Sequence, residues 1–78
     1  MQTISIMLGD FSDVKDYLAI VEKCPNMIYA RDKAGREVNA KGIIGLMSLD
    51  RSNPIEIFCK NCDITSLAVS EELGRYKV

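Results

Sequence analysis

The sequence contains no histidine and no tryptophan, has only two prolines, and includes no long hydrophobic run. Without imidazole there is no Ser–His or Cys–His pair to activate a nucleophile, and the commonest nitrogen ligand for zinc is missing. No apolar stretch approaches the roughly 18 residues that a membrane-spanning helix needs. We therefore expect neither a histidine-dependent enzyme nor a membrane-spanning protein.

Charge is nearly balanced, since ten basic and eleven acidic residues give a formal net charge of −1. Charges of both signs are scattered along the chain, which is typical of a solvated surface rather than a face that binds polyanions. The three tyrosines fall on separate predicted elements, so no stacking platform for single-stranded nucleic acid is indicated. We predict no nucleic-acid partner and no membrane partner.

The three cysteines are Cys24, Cys59 and Cys62. An odd number without framework spacing favours reduced thiols, and the N-terminal segment lacks the features of a signal peptide, so we predict a cytoplasmic protein. The C-x-x-C pair has too few partners for a four-ligand zinc site, and it ends a strand instead of opening a helix as redox motifs do. We predict a core position for Cys59, an exposed turn thiol at Cys62, and no metal or cofactor.

Alternating apolar residues predict four strands within one domain, 1–78. These strands are Thr3–Leu8, Met27–Arg31, Glu37–Ala40 and Ile55–Lys60. Phe58 falls on the polar side of the last strand and is predicted to pack at an edge. The segment Asp32–Gly35 predicts a hairpin turn in which Gly35 adopts a positive φ.

Helical periodicity predicts three helices. They run from a cap at Ser12 or Asp13 to Cys24, over Gly42–Leu49, and from a cap at Asp63 to a stop at about Gly74. The last helix is predicted to bury Ile64, Leu67 and Ala68. The order β-α-β-β-α-β-α predicts an α+β fold, an open-faced β-sandwich with a four-stranded antiparallel sheet and three helices on one face.

The segment Arg36–Leu49, REVNAKGIIGLMSL, carries the most specific pattern in the chain. It resembles the middle of HPr, the phosphocarrier protein of the bacterial sugar phosphotransferase system, where a strand end is followed by a phosphorylatable serine and a short helix. The matching positions are Val38, Asn39, Lys41, Gly45, Leu46, Met47, Ser48 and Leu49. The resemblance implies an HPr-like sandwich, although the N-terminal third matches in element order and hardly in identity.

The chain departs from HPr at both phosphorylation sites of that family. The active-site histidine falls on Asp10, or on Phe11 if one turn insertion is omitted, and the regulatory serine falls on Gly42. The resemblance therefore implies a relative that is not phosphorylated on His or Ser, and we predict no catalytic residue and no enzyme. A phosphocarrier that forms an aspartyl phosphate on Asp10 stays open as a weaker alternative to a simple capping role.

The second predicted helix is apolar around more than half of its circumference. At about 100° per residue the apolar arc spans roughly 220°, whereas a short helix on a sheet buries little more than 100°. The simplest division buries Leu46 and Leu49. It exposes Ile43, Ile44 and Met47. A competing interpretation buries all five side chains, because so small a domain needs every apolar group for its core.

In HPr the matching positions form the apolar patch that docks onto phosphotransferase proteins. The resemblance thus implies partners such as Enzyme I, the IIA component of a sugar permease, or a transcriptional regulator. Ile43, Ile44 and Met47 would enter an apolar groove, while Lys41 and Arg51 would steer its acidic rim. The alternative is a structural protein that self-associates through the same residues, and we expect a monomer or a weak homodimer.

Overall fold

The computed structural model describes residues 2–78 and shows an α+β protein. The strands in this part of the chain are β1 (Thr3–Ile6), β2 (Tyr29–Arg31), β3 (Glu37–Asn39) and β4 (Ile55–Phe58). The α-helices are α1 (Phe11–Val21), α2 (Ile43–Met47) and α3 (Ala68–Glu72). Two short 3-10 turns, Ile64–Ser66 and Leu73–Tyr76, precede and follow α3.

The four strands form one antiparallel sheet in the order β1-β4-β2-β3. β4 pairs with β1 on one side and with β2 on the other, so it lies inside the sheet. The prediction of an α+β protein with a four-stranded antiparallel sheet and three helices is confirmed. Gly35 has a φ of 92° in the β2–β3 turn, which confirms the predicted hairpin.

The hydrophobic core lies between one face of the sheet and the apolar face of α1. Because side chains alternate along a strand, Ile4 and Ile6 point into this core while Ser5 lies on the opposite face. The other members from the sheet and from α1 are Ala30, Ile55, Ile57, Val14, Tyr17 and Val21. No helix among residues 2–78 combines the length and the apolar character needed to cross a bilayer.

The cap of α1 is Asp10, which confirms the simple capping role predicted for that residue, and not Ser12 or Asp13. Oδ1 of Asp10 accepts the N–H of Asp13 at 3.0 Å, and the Asp13 carboxylate accepts the N–H of Gly9 at 3.0 Å. These reciprocal bonds satisfy two backbone donors near the start of the helix. The helix therefore begins immediately after Asp10, earlier than the sequence predicts.

The last predicted helix is divided into separate helical segments. The Asp63 carboxylate caps the first 3-10 turn by accepting a backbone N–H at 3.0 Å, but Leu67 is extended, with φ −87° and ψ 150°. Because this residue interrupts the helix, Ala68 is exposed and Val69 is buried, which contradicts the predicted face. Gly74 does not end the helical region, since it lies within the second 3-10 turn.

Phe58 does not pack at an edge, because β4 is an interior strand. The side chain is only 1 % exposed although it lies on the sheet face opposite the core. Its ring stacks on that of Tyr29 with the centroids 5.8 Å apart, and the Arg31 guanidinium lies 5.0 Å from the Phe58 centroid. Cross-strand neighbours thus cover an aromatic ring that would otherwise face water.

Cys59 and Cys62 form a disulfide bond, so the prediction of reduced thiols is wrong for this pair. Cys59 is buried as predicted, but Cys62 is half-buried and packs against the core instead of being exposed. The turn after β4 folds back and brings the two Cα atoms to 5.4 Å, a separation that a disulfide spans. Cys24 is a buried free thiol.

Candidate functional site: the exposed face of α2

Helix α2 packs on β3 through a residue without a side chain. A Cβ added to Gly45 would lie 3.0 Å from the Cβ of Val38, so the bare backbone permits the close approach. Leu46 is fully buried and Leu49 is 6 % exposed, which fixes the helix on the core. The prediction that these two leucines form the buried side is confirmed.

The opposite side of α2 carries three apolar residues that we call the α2 patch: Ile43, Ile44 and Met47. Their exposed fractions are 42 %, 84 % and 46 %. Ile43 and Met47 are one helical turn apart and are therefore neighbours on the surface. The predicted division between buried and exposed residues holds, and the interpretation in which all five side chains are buried is wrong.

Hydrogen bonds hold the two ends of α2. At its C-terminal end, Nη1 of Arg36 donates to the carbonyl oxygen of Ser48 at 2.8 Å, and the Ser48 hydroxyl donates to the Gly45 carbonyl at 2.6 Å. At its N-terminal end, the N–H of Leu46 donates to the carbonyl of Gly42 at 3.0 Å. Gly42 is the N-cap residue and has no side chain with which to cap the helix.

Of the two cations expected to steer a partner, only Lys41 makes a hydrogen bond to its own chain among the residues described. Nζ of Lys41 donates to the carbonyl oxygen of Cys24, and the Lys41 side chain is half-buried. Arg51 is also half-buried, and its Nε atom is buried without a hydrogen-bond partner among the residues described. Because Lys41 holds the segment that follows α1, Arg51 is the better candidate of the two for contact with an acidic rim.

Asp10 and Phe11, where the HPr resemblance places the active-site histidine, lie at the start of α1. Oδ1 of Asp10 accepts the capping bond, while Phe11 is 53 % exposed. Within residues 2–78, no three His, Cys, Asp or Glu side chains are grouped to hold a metal ion. The structure therefore gives Asp10 a local structural contact and brings no cluster of carboxylates to it.

Asp32 positions the segment after α2, a role that the sequence did not reveal. Its carboxylate accepts the N–H of Arg36 at 2.9 Å and the N–H of Asp50 at 3.1 Å, and the residue is 7 % exposed. These hydrogen bonds hold the pKa of Asp32 below its ordinary value, and the bond from Asp50 has the largest effect. An aspartate at the start of a turn predicts the local bond, but nothing in the sequence indicates the distant one.

Tyr17 ties α1 to the segment between β3 and α2. Its hydroxyl donates to the carbonyl oxygen of Ala40 at 2.9 Å, and its side chain is fully buried. Burial raises the pKa of Tyr17 far above its ordinary value, because the phenolate would lose its hydration. The hydroxyl therefore remains a neutral donor that fixes the chain just before the α2 patch.

Comparisons of the chain with known protein families, with curated proteins and with solved structures find no match. The likeness to HPr therefore depends on the residues of Arg36–Leu49 and on the order of the elements. What it implies for function is a proposal.

Proposed function

We propose that this protein is a cytoplasmic, HPr-like binding module that contacts phosphotransferase-system proteins through the α2 patch and is not itself phosphorylated on His or Ser. The observation that carries the proposal is the exposure of Ile43, Ile44 and Met47 on one short helix. A domain of 78 residues has few apolar groups to spare, so leaving three of them in water forgoes stability. A partner that covers the patch recovers this burial.

The resemblance to HPr supports this choice of partner. In HPr the positions that match α2 dock onto the enzymes and regulators of the phosphotransferase system. Two local features favour a module without a phosphoryl group of its own. The Asp10 carboxylate already accepts a backbone N–H, and Gly42 has no hydroxyl.

The occupant that fits the α2 patch is an apolar groove with an acidic rim. Ile44, the most exposed of the three residues, would be buried deepest, and the flexible thioether of Met47 would adapt to the wall of the groove. Lys41 lies two residues before α2 and Arg51 four residues after its end, whereas Asp50 is the one acidic residue within four residues of either end. This charge distribution favours a negative rim over a positive one. Enzyme I is the partner that we name for the test.

Isothermal titration calorimetry with Enzyme I of the source organism tests the proposal. We expect saturable binding that Ile44→Glu and Met47→Glu each weaken about tenfold or more, because the groove would bury an unpaired carboxylate. Val78→Glu is the matched control, since it places the same charge at an apolar residue that is 72 % exposed. Val78 pairs with β1, at the sheet edge opposite β3, so its substitution should leave binding unchanged.

If the folded wild-type protein does not bind Enzyme I, or if all three variants bind equally well, the proposal is wrong. Sedimentation over a range of concentrations then identifies the alternative. A dimer that Ile44→Glu dissociates would assign the α2 patch to a second copy of the chain. Incubation with phosphoenolpyruvate and Enzyme I, followed by intact mass measurement, tests the alternative at Asp10. A phosphoryl adduct that is absent from Asp10→Ala would show that the protein is a phosphocarrier.

A further inference from the structure

We infer that Cys59 and Cys62 form a thiol–disulfide exchange site for low-molecular-weight thiols and disulfides. In this site Cys62 is the sulfur that reacts with the small molecule, and Cys59 is the sulfur that resolves the mixed disulfide. The inference concerns a part of the molecule that the proposed docking function does not use. Three observations carry it: the unequal burial of the two cysteine residues, a hydrogen-bond donor at Cys62, and the short loop that the bond closes.

The two cysteines differ in how far a reagent can reach them. Cys59 directly follows β4 and is 3 % exposed, whereas Cys62 lies three residues further along in a turn and is half-buried. In thiol–disulfide exchange the incoming thiolate attacks one sulfur along the line of the bond, so access decides which sulfur is attacked. A small thiol therefore forms its mixed disulfide with Cys62.

Asn26 supplies the donor that activates Cys62. Its Nδ2 donates to Sγ of Cys62 at 3.7 Å, and its Oδ1 accepts from Sγ of Cys24 at 3.8 Å. A donor aimed at sulfur favours the thiolate over the thiol, and the thiolate is the nucleophile. The buried Cys24 thiol occupies the oxygen of the amide and thereby keeps its nitrogen turned towards Cys62.

The disulfide closes a loop with only two residues, Lys60 and Asn61, between the cysteines. The entropy that a cross-link removes from the unfolded chain grows with loop length, so this bond restrains the unfolded chain far less than one between distant elements. A disulfide that only stabilises the fold would stabilise it more if it closed a longer loop. The position of this pair thus favours reversible chemistry over a purely structural role.

The exchange balances with glutathione disulfide as the oxidant. The Cys62 thiolate attacks one sulfur of glutathione disulfide, so that a bond forms from Cys62 to glutathione and the first glutathione leaves as a thiolate that takes up a proton. The Cys59 thiolate then attacks Sγ of Cys62 and expels the second glutathione. Two electrons pass from the protein thiols to glutathione disulfide, and reduced glutathione reverses both steps.

The test uses the full chain with Cys24→Ser, which keeps a hydroxyl opposite Asn26 and removes the third thiol from the readout. The folded protein is equilibrated in buffers with defined ratios of glutathione to glutathione disulfide. Its free thiols are then alkylated, and the mass of the intact protein is measured by mass spectrometry. We expect the Cys59–Cys62 bond to open and close with the ratio. We also expect Cys59→Ser to take up one glutathione on Cys62 at least tenfold faster than Cys62→Ser takes it up on Cys59.

Asn26→Asp tests the donor with little change in size, because it replaces the amide nitrogen with an oxygen. Asn61→Asp is the matched control, since it adds the same charge inside the reactive turn at an exposed residue. In the Cys59→Ser background we expect Asn26→Asp to slow glutathione uptake several-fold more than Asn61→Asp does. Circular dichroism confirms that each variant is folded.

The inference is overturned if the disulfide opens only when the chain is unfolded in denaturant. Equal reaction rates at Cys59 and Cys62, or equal effects of Asn26→Asp and Asn61→Asp, would overturn it as well. Binding of Enzyme I through the α2 patch is measured separately, so failure of one idea does not disguise failure of the other.

Discussion

Gly45 of α2 lies directly against Val38 of β3, so that a Cβ on the glycine would approach the Cβ of Val38 to 3.0 Å. The contact sets how deeply the helix sits on the sheet. Leu46 points into the core from the same turn, and Ile44 faces away from it. The exposure of the α2 patch thus depends on a residue that has no side chain.

Gly45→Ala should lower the free energy of unfolding. Overpacking of this kind costs about 1–3 kcal/mol, whereas the better helix propensity of alanine offsets at most about 1 kcal/mol. We expect a net loss of up to about 2 kcal/mol in urea denaturation. Gly74→Ala is the control, because nothing lies within 4 Å of a Cβ added at this position. The stability of this variant should stay unchanged or rise slightly. Equal effects at both glycines would show that the contact with Val38 does not limit packing.

Asp32 should make the stability of the protein sensitive to acid. Its pKa lies below the ordinary value of 3.8, because the N–H groups of Asp50 and Arg36 donate to the charged carboxylate. The unfolded chain therefore takes up the proton first as the pH falls. The contribution of Asp32 to the free energy of unfolding is fully present above about pH 4 and is lost as the pH falls through the folded-state pKa of this group. Asp32→Asn should lower the melting temperature at pH 7 and flatten this acid dependence.

The control for Asp32 is Asp16→Asn, which removes an exposed carboxylate of α1 that accepts no hydrogen bond in the part of the chain described. Some acid dependence should remain in Asp32→Asn, since the Ser52 hydroxyl also holds the pKa of Asp50 below its ordinary value. If Asp32→Asn and Asp16→Asn behave alike between pH 2 and pH 7, the carboxylate of Asp32 does not stabilise the fold in the way that its contacts indicate.

Tyr17→Phe should destabilise the fold by about 1–3 kcal/mol, because it leaves the buried carbonyl oxygen of Ala40 without its donor. Burial raises the pKa of Tyr17 above its ordinary value of 10.0, so the folded state keeps the proton longer than the unfolded chain. This contribution is complete below about pH 10 and is lost as the pH rises further. Guanidinium denaturation at pH 7 and pH 11 measures both effects. Tyr29→Phe is the control, since this tyrosine is half-buried and its hydroxyl makes no hydrogen bond in residues 2–78; it should leave the free energy of unfolding at pH 7 nearly unchanged.

Phe58→Ala should destabilise the protein by about 3–5 kcal/mol, since the ring is almost fully buried on the open face of the sheet. Glu56→Gln, two residues earlier on the same face, should cost less than about 1 kcal/mol. The substitution breaks an ion pair with Arg31 at 3.1 Å, and both side chains of this pair are at least 39 % exposed. Thermal denaturation of both variants measures the difference, and similar losses would mean that burial of the ring stabilises this face no more than the ion pair does.

Local patterns predicted the elements that depend on neighbouring residues. The alternation of Ile4 and Ile6, the positive φ of Gly35, and the division of α2 into a buried and an exposed side all follow from strand, turn and helix periodicity. The last helix was predicted incorrectly, because its apolar spacing fits one helix while Leu67 adopts an extended backbone as the chain packs on the core.

The sequence by itself determined the α+β class, the turn at Gly35 and the apolar character of α2, because each depends on side chains only a few residues apart. Only the tertiary structure decided that β4 lies inside the sheet and buries Phe58, and that Asp32 reaches Asp50. These contacts depend on how whole elements are placed against each other, and burial in a shared core sets that placement more strongly than local propensity does.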